Sequence, residues 1–293
     1  MTAKDYFNLL RPYQWYKNLV IFIVIIFSGN LFDINFLFLT IIGFISLAMI
    51  SSVNYILNDF IDIKKDKYHP EKSLRPLASG KVKIWQALVI AAVLFIGSLL
   101  LAYQLSDYFL YSILFLFGFT QLYSLFLKNE AFADIIAISI NFIVRASIGA
   151  FIIGAYISPW LILVIFFLSL FLTLGKRKSD LIYLGENAVN HKQSLKHYSK
   201  ELIDIMTLIS TSAVIITYSL YCILGRNALM IFTLPFVLYA LFRYLNLVYS
   251  GSKIGRHPHK IFKDLRMIVA GILWFIITAF VIYSGLTFSQ ILP

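Results

Sequence analysis

Apolar residues fall in long runs along this chain, and polar residues gather in the connections between the runs. Nine apolar segments are each close to the roughly 20 residues that an α-helix needs to cross a bilayer. They cover residues 15–32, 36–57, 85–104, 107–126, 133–154, 157–175, 203–224, 228–247 and 267–288. The pattern predicts an all-α integral membrane protein with nine transmembrane helices, in a single polytopic domain over residues 1–293.

The composition agrees with a membrane protein. Hydrophobic residues occupy 60% of the 293 positions and charged residues only 13%, a balance that excludes an ordinary soluble domain. The one cysteine, Cys222, excludes a disulfide framework and a cysteine-based metal site. The net charge of +11 is distributed along the edges of the apolar segments, so it predicts a membrane environment and no nucleic-acid partner.

Lysine and arginine are concentrated on one side of the predicted membrane. The long basic connections 58–84, 176–202 and 248–266 lie on that side, whereas the turns on the other side are short. Cytoplasmic connections of membrane proteins carry an excess of these residues. We therefore expect a multi-pass protein of the cytoplasmic membrane, with its N-terminus in the cytoplasm, its C-terminus outside, and active-site loops at 58–84 and 176–202 on the cytoplasmic face.

A group of acidic residues follows segment 36–57 directly. Asp59, Asp62 and Asp66 are spaced i, i+3 and i+7, so they share one face if the helix continues for two more turns. Asn58 lies one turn before Asp62 on an adjoining stripe. Clustered carboxylates repel one another unless a cation neutralises them, and Mg²⁺ prefers oxygen ligands such as these. The alternative interpretation is a solvated charge run that pairs with neighbouring lysines.

Cations suited to phosphate oxygens follow the acidic group. Lys72 and Arg75 lie in the same connection, and Gly80 permits a tight turn before the next apolar segment. Carboxylates that hold Mg²⁺, together with cations that absorb developing charge, are what a diphosphate leaving group requires. An ordinary basic cytoplasmic loop is the alternative.

Two further cationic positions stand apart from this connection. Arg11, Lys17 and Asn18 lie beside the first apolar segment, where they fit either a phosphate site or an aromatic and basic membrane anchor. Arg145 lies about twelve residues into the fifth segment, and an unpaired cation at such depth is costly. Arg145 should therefore face the interior and a partner, either as a structural residue or as a ligand of a lipid phosphate.

The histidines suggest no metal site. His257 and His259 flank a proline, so they cannot act as a helical metal pair and are interpreted as part of a basic loop. His191 and His197 lie in or beside a charged amphipathic stretch that could lie on the membrane surface.

Several motifs together resemble the UbiA-type intramembrane prenyltransferase superfamily and, within it, the decaprenyl-phosphate phosphoribosyltransferase branch. The motif that resembles the superfamily signature is Asn58-Asp59-x-x-Asp62-x-x-x-Asp66, followed by Arg75-Pro76-Leu77-x-x-Gly80. Four further motifs resemble those of the branch: Arg11 to Asn18, Tyr123-Ser124-x-x-Leu127-Lys128, Asn141-Phe142-x-x-Arg145-Ala146 and Gly175-Lys176-Arg177-x-x-Asp180-Leu181. The resemblance covers nearly the whole chain. It implies a UbiA-like helix bundle around a central cavity that opens to the cytoplasmic face.

One segment departs from the aromatic prenyltransferases of the superfamily, which carry a second aspartate-rich motif after the sixth span. Here Gly175 to Asp180 is cationic with a single acid. Lys176 and Arg177 suit an extra phosphate on the substrate better than a second Mg²⁺, and phosphoribosyl diphosphate has such a phosphate on its 5′ carbon. Membrane-flanking lysines are the alternative, which accounts well for Lys178.

The resemblance thus implies a Mg²⁺-dependent transfer of the 5-phosphoribosyl group from phosphoribosyl diphosphate to a polyprenyl phosphate, with release of diphosphate. The alternatives are transfer of a prenyl group from a prenyl diphosphate to an aromatic or lipid acceptor, and transport of lipid phosphate or anions. Association into a homo-oligomer is compatible with the sequence. The implied metal ligands are Asp59, Asp62, Asp66 and Asn58; the implied catalytic residues are Asp59, Asp62, Lys17 and Arg75; the implied substrate-binding residues are Arg11, Asn18, Asn58, Lys72, Arg145, Lys176 and Arg177.

Overall fold

The structure is a computed structural model that describes residues 2–68, 72–184, 193–225 and 227–286, and all regular secondary structure in those ranges is helical. The α-helices are α1 (Ala3–Leu10), α2 (Phe22–Phe27), α3 (Ile34–Asp66), α4 (Ile84–Leu105), α5 (Asp107–Leu125), α6 (Ala133–Ile153), α7 (Pro159–Leu184), α8 (Lys200–Leu224), α9 (Leu234–Tyr249), α10 (Lys253–Arg256) and α11 (Leu265–Tyr283). Short 3-10 helices connect several of them, at Pro12–Ile21, Lys72–Leu74, Leu127–Asn129, Gln193–His197, Ala228–Thr233 and Pro258–Lys263.

Eight helices in the described part of the chain are long and apolar enough to cross a membrane. They are α3 to α8, α9 together with the 3-10 helix that precedes it, and α11. The all-α, multi-pass prediction is confirmed, but the count of nine is not. The predicted first span, 15–32, instead combines part of the 3-10 helix Pro12–Ile21 with α2, which has six residues, and a turn follows.

The chain divides into two compact units. The first unit comprises Met1–Ile25, Asn30–Leu125 and Val144–Ala155, and α3 is its central helix. Helix α3 packs on α4, α5, α1 and the 3-10 helix Pro12–Ile21. Buried hydroxyls join α3 to α4, because Ser46 and Ser98 hydrogen-bond each other's hydroxyl and backbone carbonyl groups at 2.9 to 3.1 Å.

The second unit comprises Ile26–Gly29, Phe126–Ile143 and Tyr156–Pro293. Its main helix pair is α7 and α8, and α9 packs on α11 and α7. A buried apolar cluster joins α7, α8 and α9, with Phe171, Val214, Leu241, Tyr244 and Val248 as its members. A Cβ at Gly175 would lie 2.6 Å from the Tyr244 ring, so only glycine allows this approach of α7 to α9. The single membrane domain stays a prediction.

Helix α3 runs past its apolar part and ends at Asp66. Its N-terminus is capped by the Asp33 carboxylate, which accepts hydrogen bonds from the backbone N–H groups of Asn35 and Phe36. The segment after residue 57 therefore stays helical for two more turns, the condition on which the shared acidic face depended. Gly80 has φ +72°, which confirms the tight turn before α4.

Candidate active site

Two buried carboxylates of α3 converge on one arginine. The Nη1 atom of Arg75 donates to Asp59 Oδ1 at 3.0 Å and to Asp66 Oδ2 at 2.5 Å. Both carboxylates are buried, and their i, i+7 spacing puts them on the same face two turns apart. Arg75 follows the short helix Lys72–Leu74. The connection after α3 thus folds back and returns a cation to the acids that precede it.

A second arginine reaches Asp59 from the N-terminal part of the chain. Arg11 separates α1 from the 3-10 helix Pro12–Ile21, and its Nη2 atom donates to Asp59 Oδ1. Its guanidinium lies over the Tyr55 ring, 5.3 Å from the centroid. Burial lowers the pKa of Arg11, but the Asp59 carboxylate and the neighbouring Tyr13 and Tyr55 together outweigh this effect, so the pKa is raised and Arg11 stays cationic.

The remaining predicted residues of this connection lie close to these groups in sequence. Asn58 and Asp62 are half-buried on the last turns of α3, with Asp62 between Asp59 and Asp66 on the shared face. Lys72 is half-buried at the start of its 3-10 helix. The structure thus joins Asp59 and Asp66 through Arg75 and adds Arg11 as a direct partner of Asp59.

The carboxylate oxygens of this cluster are ligand atoms of the type that Mg²⁺ binds. Asp59 and Asp66 direct two carboxylate oxygens at one positively charged atom, the Arg75 nitrogen, so the chain already holds a cation between them. Oxygen ligands of this type are those that Mg²⁺ takes in proteins. Among the described residues, no three acidic, histidine or cysteine side chains converge closely enough to hold one ion. A metal here would therefore share its coordination with a ligand such as a diphosphate.

A second polar group surrounds the buried Asn18. The Asn18 Oδ1 atom accepts hydrogen bonds from Arg145 Nε at 3.1 Å and from Ser51 Oγ at 3.3 Å. These two donors orient the amide, and its Nδ2 atom is buried with no hydrogen-bond partner. Because a buried donor without a partner is costly, the arrangement suits an acceptor oxygen from a ligand. Arg145 is buried, as expected, and Asn18 is one of its partners.

Lys17 lies beside this group. Burial, together with the neighbouring charges of Arg145 and Arg11, lowers the pKa of Lys17 to about 8. Nearby hydrogen bonds fix the 3-10 helix on α3, since Trp15 Nε1 donates to Ser52 Oγ at 3.1 Å and Ser52 Oγ donates to the Leu10 carbonyl at 3.0 Å. The first unit therefore combines two carboxylates with several cations along the second half of α3.

In the second unit, Arg177 pairs with a carboxylate that sequence reasoning did not assign to it. Arg177 Nη2 donates to Asp134 Oδ2 at 2.8 Å, and both side chains are buried. Asp134 also accepts hydrogen bonds from Ser194 Oγ at 3.2 Å and from the Tyr198 hydroxyl at 3.1 Å. The Tyr198 oxygen accepts in turn from the Phe132 backbone N–H, and burial raises the pKa of Tyr198 to about 12.

The other charges near the end of α7 also have partners. Lys178 is buried; its ammonium is 2.7 Å from the Asp204 carboxylate and lies over the Tyr249 ring at 5.2 Å. Asp180 accepts a hydrogen bond from Arg256 Nε at 3.2 Å. Lys176 is exposed. The sequence offered one signal for these pairs, namely isolated acids at the ends of apolar segments, where an unpaired charge is costly.

Residues 19–264 match the UbiA prenyltransferase family. The decaprenyl-phosphate phosphoribosyltransferase of Mycolicibacterium smegmatis is 29% identical over 216 residues, which cover 72% of this chain and 68% of that protein. The digeranylgeranylglyceryl phosphate synthase of Sulfurisphaera tokodaii is 29% identical over 178 residues, 58% of this chain and 62% of that protein.

The fold is also that of a solved UbiA homolog. The structure of a UbiA homolog from Archaeoglobus fulgidus bound to DMAPP and Mg²⁺ superimposes with a TM-score of 0.73 at 19% identity, covering 96% of this chain and all of that one. The family match spans most of the 293 residues, and the helical architecture agrees with it. The chain belongs to the UbiA prenyltransferase family of membrane transferases.

Proposed function

We propose that the protein transfers the 5-phosphoribosyl group of phosphoribosyl diphosphate to a polyprenyl phosphate in the membrane and releases diphosphate. The observation that carries the choice of donor is the end of α7, where Gly175 to Asp180 holds a single acid, Asp180, which pairs with Arg256, and an exposed cation, Lys176. A prenyl diphosphate has no phosphate apart from its diphosphate for such a segment to bind. The name of the Mycolicibacterium smegmatis relative supports the same reaction.

The cluster at the end of α3 supports the diphosphate step. Asp59, Asp62 and Asp66, with Asn58, are the residues that would hold Mg²⁺, which supplies positive charge to a diphosphate leaving group when bound. Arg11 and Arg75 stand at the same carboxylates, so both guanidiniums can donate to phosphate oxygens. Lys72, from the same connection, adds a third cation.

The reaction then needs little proton transfer. The C1–O bond to the diphosphate breaks, its electron pair stays on the diphosphate oxygen, and C1 takes oxocarbenium character. An oxygen of the lipid phosphate supplies the pair that forms the new C1–O bond. Because that phosphate is already anionic, no strong general base is required, and positioning with charge stabilisation carries the rate.

The group around Asn18 suits the acceptor. Its buried Nδ2 donor, the Arg145 guanidinium that donates to the same amide and the adjacent Lys17 are ligands for a phosphate monoester on a lipid. Lys176 serves the 5-phosphate, and Arg177 supports that end of α7 through Asp134.

We further propose that these groups face the cytoplasm in the cytoplasmic membrane, with the N-terminus on that side. The basic connections 58–84, 176–202 and 248–266 support this orientation, because cytoplasmic loops carry the excess of lysine and arginine. Phosphoribosyl diphosphate, a charged soluble substrate, is then available on the side where the site opens.

A transfer assay tests the reaction. Purified protein in lipid nanodiscs receives Mg²⁺, ribose-labelled phosphoribosyl diphosphate and a polyprenyl phosphate, and labelled lipid is measured. Asp59→Asn and Asp62→Asn should abolish the product, and chelation of Mg²⁺ should do the same. Asp107→Asn is the matched control, since Asp107 is an exposed acid at the start of α5.

The same preparation distinguishes the alternative. Turnover with a prenyl diphosphate and an aromatic or lipid acceptor, without any transfer from phosphoribosyl diphosphate, would contradict the proposal. That outcome would agree with the fold shared with the Archaeoglobus fulgidus homolog, which was solved with DMAPP and Mg²⁺.

A further inference from the structure

A pair of side-chain amides joins helices α3 and α5 within the apolar, span-length part of the first unit. Gln121 Nε2 of α5 donates to Asn54 Oδ1 of α3 at 2.6 Å. Asn54 is only 5% exposed, and Gln121 is half-buried. Polar side chains inside membrane-crossing helices are costly, and they commonly mark a site that binds a substrate. Neither amide belongs to the acidic cluster or to the group around Asn18.

The hydrogen bond determines which end of the Asn54 amide is available. Its oxygen faces Gln121, so its Nδ2 group is directed away from Gln121. In the part of the chain that the structure describes, the Asn54 side chain makes no other hydrogen bond, so the Nδ2 donor has no protein acceptor. A donor without an acceptor in a side chain this buried is unfavourable, and a ligand oxygen would relieve that cost. The pair therefore presents an oriented, uncharged donor.

Asn54 lies on α3 between the two proposed phosphate sites. It follows Ser51, which contacts Asn18, by one turn and precedes Asn58 by one turn, so these α3 side chains share one face. Ser51 and Asp59 are eight residues apart, which is roughly 12 Å along the helix axis at 1.5 Å per residue. A substrate whose diphosphate binds at Asp59 and whose C1 meets a lipid phosphate near Asn18 has its ribose along this stretch.

An uncharged amide donor suits a hydroxyl better than a phosphate. The cations Arg11, Arg75 and Lys17 already supply positive charge for phosphate oxygens. A ribose hydroxyl is neutral, and its oxygen accepts a hydrogen bond from an amide N–H. Such a donor also distinguishes substrates, because an analogue that lacks the hydroxyl leaves the buried N–H unpaired.

We propose that Asn54 binds one ribose hydroxyl, at C2 or C3, and that Gln121 is a positioning residue that holds the Asn54 amide in its donating orientation. The assignment rests on the proposed function for the identity of the sugar substrate. It gives the protein a means of selecting phosphoribosyl diphosphate that does not depend on the phosphates. A prenyl diphosphate has no hydroxyl for Asn54 to bind, so the pair favours the sugar over the isoprenoid.

Binding of deoxy analogues tests the contact directly. The affinities of phosphoribosyl diphosphate and of its 2-deoxy and 3-deoxy analogues are measured by calorimetry, with Mg²⁺ and without polyprenyl phosphate, on protein in nanodiscs of neutral lipid. The wild type should bind one analogue about tenfold more weakly than the parent compound, equivalent to about 1.4 kcal/mol. Asn54→Leu should remove this difference by binding the parent as weakly as the analogue, and Gln121→Met should reduce it.

Two further variants separate substrate binding from helix packing. The double variant Asn54→Leu/Gln121→Met replaces both amides by apolar side chains of similar size, a change that can be nearly neutral for stability. Its Tm should match that of the wild type, whereas its discrimination between the parent compound and the analogue should be absent. Ser98→Ala is the matched control, because it removes a buried hydroxyl that hydrogen-bonds α3 through Ser46, and it should leave the discrimination intact.

Three results would overturn the assignment. The first is equal affinity of the wild type for the parent compound and both analogues. The second is full discrimination by Asn54→Leu or by the double variant, which would assign the amide pair to helix packing alone. The third is a tenfold loss of affinity in Asn54→Leu for the parent compound and both analogues alike, which would place a phosphate oxygen at Asn54.

The transfer assay keeps this proposal distinct from the proposed reaction. If the wild type prefers phosphoribosyl diphosphate over an analogue through Asn54 but transfers no label to the lipid, the hydroxyl site stands and the reaction falls. If label is transferred and Asn54→Leu discriminates like the wild type, the reaction stands and this site falls.

Discussion

Replacing Asp134 by asparagine should destabilise the protein strongly. The change keeps the size of the side chain and one acceptor oxygen, but it leaves the Arg177 guanidinium, 2.8 Å away, as an uncompensated buried charge. Breaking a buried ion pair on one side costs about 3–5 kcal/mol. At roughly 2–4 °C per kcal/mol for a chain of this general size, the expected loss is of the order of 10 °C in Tm, measured by scanning fluorimetry at a single heating rate.

Two controls separate charge from packing. Asp204→Asn breaks the pair with the buried Lys178, but the Asp204 side chain is 41% exposed and Lys178 also lies over the Tyr249 ring, so this loss should cost less than that of Asp134. The double variant Asp134→Asn/Arg177→Met removes both buried charges and should recover at least half of the lost Tm. A Tm for Asp134→Asn no lower than that of Asp204→Asn, or a double variant no more stable than the single one, would refute the reasoning.

Further predictions concern the first unit. Gly149→Ala should lower Tm by several degrees, because its Cβ would lie 2.3 Å from the Ile21 carbonyl oxygen, whereas Gly118→Ala meets no atom within 4 Å and should leave Tm unchanged. Since Lys17 has a pKa of about 8, it loses its charge as the pH rises through that value, and KM for an anionic substrate should increase there; Lys17→Arg, which stays charged, should abolish that increase. Mg²⁺ alone should raise Tm less than Mg²⁺ with diphosphate, since Arg11 and Arg75 occupy the carboxylates until phosphate oxygens compete for them.

The membrane-spanning helices were predictable because every segment that crosses a bilayer has to meet the same requirement. A run of about 20 apolar residues, whose backbone groups hydrogen-bond to one another within the helix, is enough to specify a membrane-crossing helix. Such a run can be recognised in a short stretch of sequence. The first predicted span is a case in which the local sequence does not determine the structure. Residues 15–32 are apolar enough for a span, yet they hold a 3-10 helix and the short helix α2, since the Arg11 and Pro12 junction and the polar Asn18 tie this segment to α3.

The acidic set was predictable because helical spacing is a local property, and α3 continues to Asp66. Its partners were not, because they depend on how distant parts of the chain meet. Arg11 is 48 positions from Asp59, and Arg177 is 43 positions from Asp134. The same limit applies to Lys178, because its pairing with Asp204 from the next long helix is not visible in the local sequence.

Burial explains why the arginines and the acids form one electrostatic unit. Asp59 and Asp66 are each less than 5% exposed, and a carboxylate at such depth requires a compensating cation. Arg11 and Arg75 are the cations that the chain itself provides, so the pairing follows from burial before any substrate binds. The residues that the sequence assigns separately to metal and to phosphate therefore depend on one another. Removing the Asp59 charge releases two guanidiniums as well as a proposed metal ligand, so we expect its effect on phosphate binding to be inseparable from any effect on metal binding.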